Sequence, residues 1–347
     1  MTIFILTFLA LFITSLNVIT VRTIKDRPSE LLNSVDVLIP MRNESRNVAS
    51  VLGSVLASKG CKNLSIYALD DNSEDDTGSL ISNFKVNKLV GRKLPENWLG
   101  KNFACQQLAF SSSSDFLVFL DADVRLSENA IASSISKMES LGWDFISPYP
   151  RQKAETLVEN LIQPLLQWSW LASVPLRLSE YFPNRQMTIA NGQFLIIRRS
   201  AYESIDGHES IKGEVLDDLE LARKLVVKGF KGGVSDGSKV ASCRMYQSST
   251  ELISGYTKSL WKAFGGVIGS TIAFGLLIAT GVIPLLALNS GYLLIVLSRA
   301  LAALKTRSNP IYSLLHPLSI ILLFYIFILS VIRHQRGTLE WRGRRVN

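Results

Sequence analysis

Two aspartates one residue apart, Asp121 and Asp123, close an apolar run in FLVFLDADVRL (116–126). Residues two apart on a strand face the same way, so both carboxylates can converge on one point. Like charges that close repel unless a cation sits between them, and a hard divalent ion with oxygen ligands meets that need. Further carboxylates recur in similar settings: Glu44 in PMRNES (40–45), Asp71 in LDDNSEDDT (69–77), and Asp217 with Asp218 in VLDDLELARKL (215–225). One carboxylate acting as general base, with one bound cation stabilising a departing anion, suffices for a direct displacement.

The elements that must position these residues lie between about Val35 and Phe264, where short apolar runs alternate with amphipathic stretches. That alternation predicts an α/β fold, a mainly parallel sheet with helices on both faces. Strands are expected at Val35 to Ile39, closed by Pro40, and at Leu64 to Leu69, Val86 to Val90 and Phe116 to Leu120. Val48, Val51, Leu52, Val55 and Leu56 recur at helical spacing, as do Leu219, Ala222, Leu225 and Val226, with Gly229 as a stop. Ligands of open α/β sheets bind beyond the carboxyl ends of strands, which is where the acidic clusters fall.

Apolar blocks flank this region. Residues 1–21 carry no charge over a length that spans a bilayer core, and Arg22, Lys25 and Arg27 follow them. Basic residues after the run, with none before it, predict a retained transmembrane anchor whose C-terminal side is cytoplasmic. A second block covers 264–332, broken by Arg299 and by the polar stretch 305–309. Its part 311–332 reads as one span. The part 264–304 fits either one span plus an interfacial helix or two short spans. The basic tail 333–347, with Arg333, Arg336, Arg342, Arg344 and Arg345, belongs on the cytoplasmic side, so two crossings after Phe264 and three in all are preferred. The expected layout is an anchor at 1–21, a cytosolic catalytic domain at 35–263, a membrane region at 264–332 and a cytosolic tail, in a multi-pass cell-membrane protein.

The chain has 347 residues and a net charge of +8, with the basic excess largely beside the apolar segments. Anionic headgroups account for that placement better than nucleic acid does, and no nucleic-acid partner is expected. Cys61, Cys105 and Cys243 are odd in number and form no CxxC pair, which suggests neither a disulfide framework nor a zinc site.

VDVLIPMRNES, LDDNSEDDT, FLDADV and VLDDLELARKL, in this order, resemble the family 2 glycosyltransferases of GT-A fold. The similarity extends through LPENWLGK (94–101), NGQFLIIRRSAYESIDGH (191–208) and WRGRR (341–345), and points to membrane-bound members acting on lipids, including hopanoid-associated and carotenoid-glycosylating groups. The resemblance implies an inverting, metal-dependent transfer from a nucleotide-diphosphate sugar, UDP-linked by preference, to a lipid-like hydroxyl or carboxyl at the membrane. It makes Asp121 and Asp123 the DxD element for Mg2+ or Mn2+, with Asp123 the direct ligand. Asp71 then accepts a hydrogen bond from the base, Pro40, Arg42 and Glu44 contact the nucleotide, and Lys101 approaches its phosphates unless it is a surface lysine. Asp218 matches the catalytic base, while Asp217 stands where the family has Glu. Asp217, His208, Gly192, Lys258 and Trp261 are further candidates for the acceptor or diphosphate side. Trp261 in YTKSLW lacks the preceding Arg of processive relatives, which argues against a polysaccharide synthase.

Residues 155–178 are where such a family often receives its acceptor. Leu157, Leu161, Leu165 and Trp168 follow near-helical spacing, with Pro164 and Pro175 expected to limit the helix; it fits a membrane-lying segment or a core helix equally. Two other readings remain at this stage. A nucleotidyltransferase would show a Gly-rich phosphate loop near the first strand, and PMRNES offers none; a noncatalytic scaffold should have lost Asp123 or Asp218, and both are present.

Overall fold

The computed structural model describes residues 2–258, 260–264, 266–338, 340–341 and 344–345. Arg342 of the expected basic tail and of WRGRR lies outside the described residues. The chain forms two compact units, one made of Arg22–Arg151 and Ser179–Cys243, the other of Met1–Val21, Gln152–Leu178 and Arg244–Asn347.

The first unit is built on strands β1 (Leu31–Met41), β2 (Cys61–Asp70), β3 (Asn87–Val90), β4 (Phe116–Leu120), β5 (Val124–Leu126), β6 (Phe145–Tyr149), β7 (Phe194–Arg198), β8 (Gly232–Asp236) and β9 (Ala241–Cys243). Seven form one sheet in the order β3-β2-β1-β4-β7-β6-β8. Pairing is parallel from β3 to β4 and between β6 and β8, while β7 runs antiparallel to both β4 and β6. The sheet is thus mainly parallel, as the alternating pattern predicts. FLVFL of β4 is buried along its whole length, as a strand covered on both faces must be. Beside the sheet, β5 pairs antiparallel with β9.

Two local expectations are corrected. Pro40 does not close β1, which continues to Met41 with Pro40 opposite Leu69 of β2. Pairing of β1 with β4 ends at Leu38, so at Pro40 the strand has a partner on one side only and a missing N–H is tolerated. Asp121 and Asp123 do not lie on a strand: β4 stops at Leu120, and Val124 N–H donates to Asp121 O at 3.1 Å, closing a turn that leads into β5. Their placement comes from this turn and not from pleat alternation.

The helix Ser45–Leu56 buries Val48, Val51, Leu52 and Val55. The helix Asp217–Val227 buries Leu221, Ala222, Leu225 and Val226, with Leu219 only half-buried. It ends at Gly229, whose φ of +99° favours glycine; Phe230 N–H reaches back to Leu225 O at 3.0 Å.

The second unit is helical. Thr2–Thr20, Ile268–Leu286 and Pro310–Gln335 are each long and apolar enough to cross a membrane. Asn17, on the first of these, is buried but satisfied: Nδ2 donates to Leu171 O and Val174 O at 2.8 and 2.7 Å, and Oδ1 accepts from Leu176 N–H at 3.0 Å. Pro164 does not limit its helix. It sits inside Leu157–Ser173, where the Thr156/Glu159 capping box secures the first turn and burial of residues 159–165 offsets the lost backbone bond. Pro175 does follow the helix end. Trp168 is buried, with Nε1 donating to Ser298 Oγ at 2.7 Å, so its ring belongs to the core of this unit.

Candidate active site

At the carboxyl edge of the sheet the turn after β1 docks on the turn after β2. Arg42 is buried, and its Nη1 donates to Asp71 O and Asn72 O at 2.8 and 2.6 Å while Nη2 reaches Glu74 at 3.0 Å. Asn43 and Asn72 both adopt positive φ, near 53° and 54°, which Asn tolerates better than most residues. Asn43 Oδ1 accepts from Glu74 N–H at 2.8 Å, tying the two turns together, and Asn72 Nδ2 donates to Gly91 O at 3.1 Å, fixing the turn after β2 to the end of β3. Asp71 is buried at this junction. Glu44 precedes the helix Ser45–Leu56 and receives Asn47 Nδ2 at 2.7 Å.

Lys101, at the start of the helix Gly100–Phe110, bridges the acids. Its Nζ lies 2.9 Å from Asp121 Oδ1 and 3.4 Å from Asp217 Oδ2. Burial alone would push this ammonium down, but Asp121 and Asp217 outweigh it and hold the pKa well above the usual lysine range. Neighbouring Asn102, buried, donates through Nδ2 to Ile211 O, Lys212 O and Glu214 O at 2.9, 3.2 and 3.0 Å. That bond set clamps the loop leading into Asp217 against the helix that carries Lys101.

Asp218 accepts Gly192 N–H on Oδ2 at 2.6 Å and Leu219 N–H on Oδ1 at 2.8 Å. Burial and then the charge of Asp217 raise its pKa to about 6, against the opposing pull of Lys101 and the two amides. Such a carboxylate is a usable base near neutral pH. Space at Gly192 is tight: a Cβ there would stand 3.0 Å from Asp218 Cβ and 3.3 Å from Lys101 Nζ. Asp121 is anchored by its own N–H to Gln193 O at 3.0 Å, the next residue along.

Asp123 differs from its neighbour. Its Oδ1 is buried with no hydrogen-bond partner, and burial, then Asp121 and Glu44, raise its pKa to about 7. An orphaned carboxylate oxygen is the kind of hard oxygen donor a divalent cation takes. Among the described residues no group of three His, Cys, Asp or Glu side chains is arranged to hold an ion unaided.

Residues 36–206 match glycosyl transferase family 2. The chain carries a family 2 glycosyltransferase domain. The enzyme is 26% identical over 253 residues to a 4,4'-diaponeurosporenoate glycosyltransferase of Staphylococcus haemolyticus, covering 68% of this chain and 63% of that one, which is less than two thirds of the relative's length. It is 23% identical over 333 residues to the protein of the same name from Staphylococcus aureus, covering 90% and 88%. Among solved structures, a mannosyltransferase of Pyrobaculum calidifontis in complex with GDP-Man and Mn2+ superposes with a TM-score of 0.61 at 14% identity, over 96% of each chain; the GT-A fold is shared.

The sequence-predicted residues of the glycosyltransferase are brought together unevenly. Lys101, Asp121, Gly192, Asp217 and Asp218 meet directly, with Asp123 and Glu44 beside them. Pro40, Arg42 and Asp71 form the neighbouring strand edge. His208 is buried, with Nδ1 2.8 Å from Tyr202 Oη and its ring against Phe119 at 4.9 Å; burial lowers its pKa to about 4 and keeps it neutral. The positive φ at Asp206 and Gly207 shapes that turn, and Gly207 lies so close to the Tyr202 ring that no side chain fits. Lys258 and Trp261 belong to the helical unit, where Trp261 stacks on His334 at 3.6 Å between ring centroids. Sequence reasoning missed Asn102, Gln193 and Cys243. Gln193 Nε2 donates to Cys243 Sγ at 2.9 Å, and the Cys243 thiol hydrogen-bonds Asp123. Asn102 and Gln193 adjoin motif residues, a usable signal; nothing local marks Cys243.

Proposed function

We propose that this glycosyltransferase moves a sugar from a nucleotide-diphosphate donor, UDP-linked by preference, to a carotenoid-type acceptor at the membrane, with inversion at the anomeric carbon. The observation that carries the reading is the junction of Lys101, Asp121, Asp217 and Asp218, four charged groups from three separate elements, beside Asp123, whose buried Oδ1 has no hydrogen-bond partner. The names of the staphylococcal relatives support a carotenoid acid as acceptor, and the fold is that of a protein solved with a nucleotide sugar and Mn2+.

In this reading Asp71 and Arg42 line the base and ribose end of the donor. Asp123, with Asp121, would hold Mg2+ or Mn2+. When bound, the cation supplies neutralisation of the departing diphosphate. Lys101 places a second positive charge on the same side. Asp218, oriented by Gly192 and Leu219, takes the proton of the acceptor hydroxyl or carboxyl as its oxygen attacks from the face opposite the diphosphate. No covalent sugar intermediate is needed, so a single base suffices. Asp217 keeps Lys101 in place.

The layout proposed with this chemistry is a multi-pass protein, anchored by 1–21 and 264–332, with its catalytic domain and basic tail on the cytoplasmic face. The three apolar helices and the charges after Val21 support it. Membranes containing the protein, incubated with labelled UDP- and GDP-sugars and a carotenoid acid, should move label into the organic phase. Transfer undiminished in Asp218→Asn removes the base; no transfer from any nucleotide sugar removes the activity.

A further inference from the structure

Within the helical unit, Arg299 is 2% exposed, a guanidinium enclosed by helices. It lies on the buried face of Gly291–Lys305 with Ile295 and Ala302, facing the side of His316–Gln335 that buries His316, Ser319, Ile320 and Leu323. Among the described residues no carboxylate pairs with it. Its contacts are two neutral acceptors, both on Nη1: His316 Nδ1 at 3.2 Å and Ser319 Oγ at 3.1 Å.

The bond to His316 decides the imidazole tautomer. Arginine only donates, so Nδ1 accepts and the proton of the neutral ring sits on Nε2. That Nε2 is buried and has no partner. Gly281 permits the packing, since a Cβ there would fall 2.4 Å from His316 Nε2. The surrounding polar groups add no negative charge: Trp168 Nε1 donates to Ser298 Oγ, which also meets Thr14 Oγ1 at 2.8 Å, and the Trp168 ring stands edge-on to His316 at 5.3 Å. The cluster is rich in donors and poor in acceptors, around a full positive charge. A buried charge without a counter-ion is among the costlier features a fold can hold, and ionisable groups among membrane helices mark ligand positions.

We infer that Arg299, backed by His316 and Ser319, is a binding site for an oxyanion, carboxylate or phosphate, carried on an apolar chain. The apolar surroundings select this class: Ile320 packs beside His316 at Gly281, and a hydrated free anion would shed its water there, whereas an amphiphile brings apolar surface to replace it. The guanidinium presents a planar fork to two oxygens at once, which an ammonium cannot do. The test of the site reads no activity, so its outcome is separable from that of the transfer reaction.

Full-length protein purified in detergent is melted with oleate, oleyl alcohol, dioleoyl phosphatidate or inorganic phosphate at equal concentration. Oleate or phosphatidate should raise the midpoint by about 3 °C or more, with no comparable rise from oleyl alcohol. Response to oleate alone assigns a carboxylate, to phosphatidate alone a phospholipid headgroup. Arg299→Met should erase the acid-specific rise while the ligand-free midpoint holds or increases, because an unpaired buried charge is gone. Equal shifts with acid and alcohol, a shift with inorganic phosphate alone, no shift with any probe, or a rise retained in Arg299→Met would each overturn the site. Should Arg299→Met not fold, Arg299→Lys carries the test: the fork is lost and the acid-specific rise should fall by half or more, and an unchanged rise overturns the proposal.

Discussion

Gly192 N–H donates to Asp218 Oδ2 across 2.6 Å, joining the residue two before β7 to the first turn of the helix that begins at Asp217. This bond aims the carboxylate, and the missing side chain of Gly192 leaves room for it. Gly192→Ala would push a methyl against Asp218 Cβ and Lys101 Nζ. Such a contact is relieved by a shift of a few tenths of an ångström, and a full 1 Å misplacement of a reacting group costs about 100-fold in rate. Transfer should fall by a smaller factor, about 10-fold, while the circular dichroism spectrum and melting midpoint stay near wild type; unchanged transfer would show that Asp218 is not held by this contact.

Asp218 must be ionised to accept a proton, and its pKa is raised to about 6 by burial and by Asp217. Activity should therefore rise with pH through about 6 and level off above it. Asp218→Asn should lower kcat by about 10²- to 10⁴-fold and remove that limb. A pH–rate profile of label transfer in both proteins checks this.

Lys101 pulls the pKa of Asp218 down and counters Asp121 and Asp217. Lys101→Met should thus move the acidic limb of the profile to higher pH, a displacement a merely structural lysine would not produce. Donor KM should rise as well, by about 10-fold, from the loss of a charge-assisted phosphate contact. A limb that stays in place would separate Lys101 from the base.

For Asp123 the fold favours the protonated acid, with a pKa raised to about 7 by burial, Asp121 and Glu44. Its stabilising contribution is complete below the unfolded value near 3.8 and is lost as pH climbs through about 7. Cation-free protein should melt progressively lower between pH 5 and 8. Mn2+ should restore the midpoint chiefly at the upper end, where the carboxylate is free of its proton, and Asp123→Asn should abolish the Mn2+ effect and lessen the pH trend to the part that Asp218 contributes. Thermal melts with EDTA or Mn2+ across that range test it; Mn2+ stabilisation equal at pH 5 and pH 8 would count against Asp123 as ligand.

Much of the architecture is written in local pattern. The unbroken apolar FLVFL identifies β4, the recurrence of Ala222, Leu225 and Val226 identifies the helix behind Asp218, and uncharged runs identify the three long apolar helices. These signals are legible because strand and helix periodicities act over a few residues. The acidic candidates were legible too, since each cluster falls at a strand or helix end. Pro40 and Pro164 show where such rules fail: whether a missing N–H matters depends on which neighbour stands opposite, and that is a property of the sheet or the packed helix.

Only the tertiary structure decided who meets whom. Lys101 reaches Asp121 and Asp217 because Asn102 pins the loop 211–214 to its helix; Gly192 lies under Asp218 because β7 is inserted antiparallel beside β4; Cys243 meets Asp123 because β9 pairs with β5. The unpaired Arg299 is of the same kind, an ordinary basic residue in sequence whose enclosure by helices makes it a charge in want of a partner. Side-chain charge and shape are local, but burial and the distance between charges are set by the crossing of remote segments, and those two quantities govern what ionisable groups do.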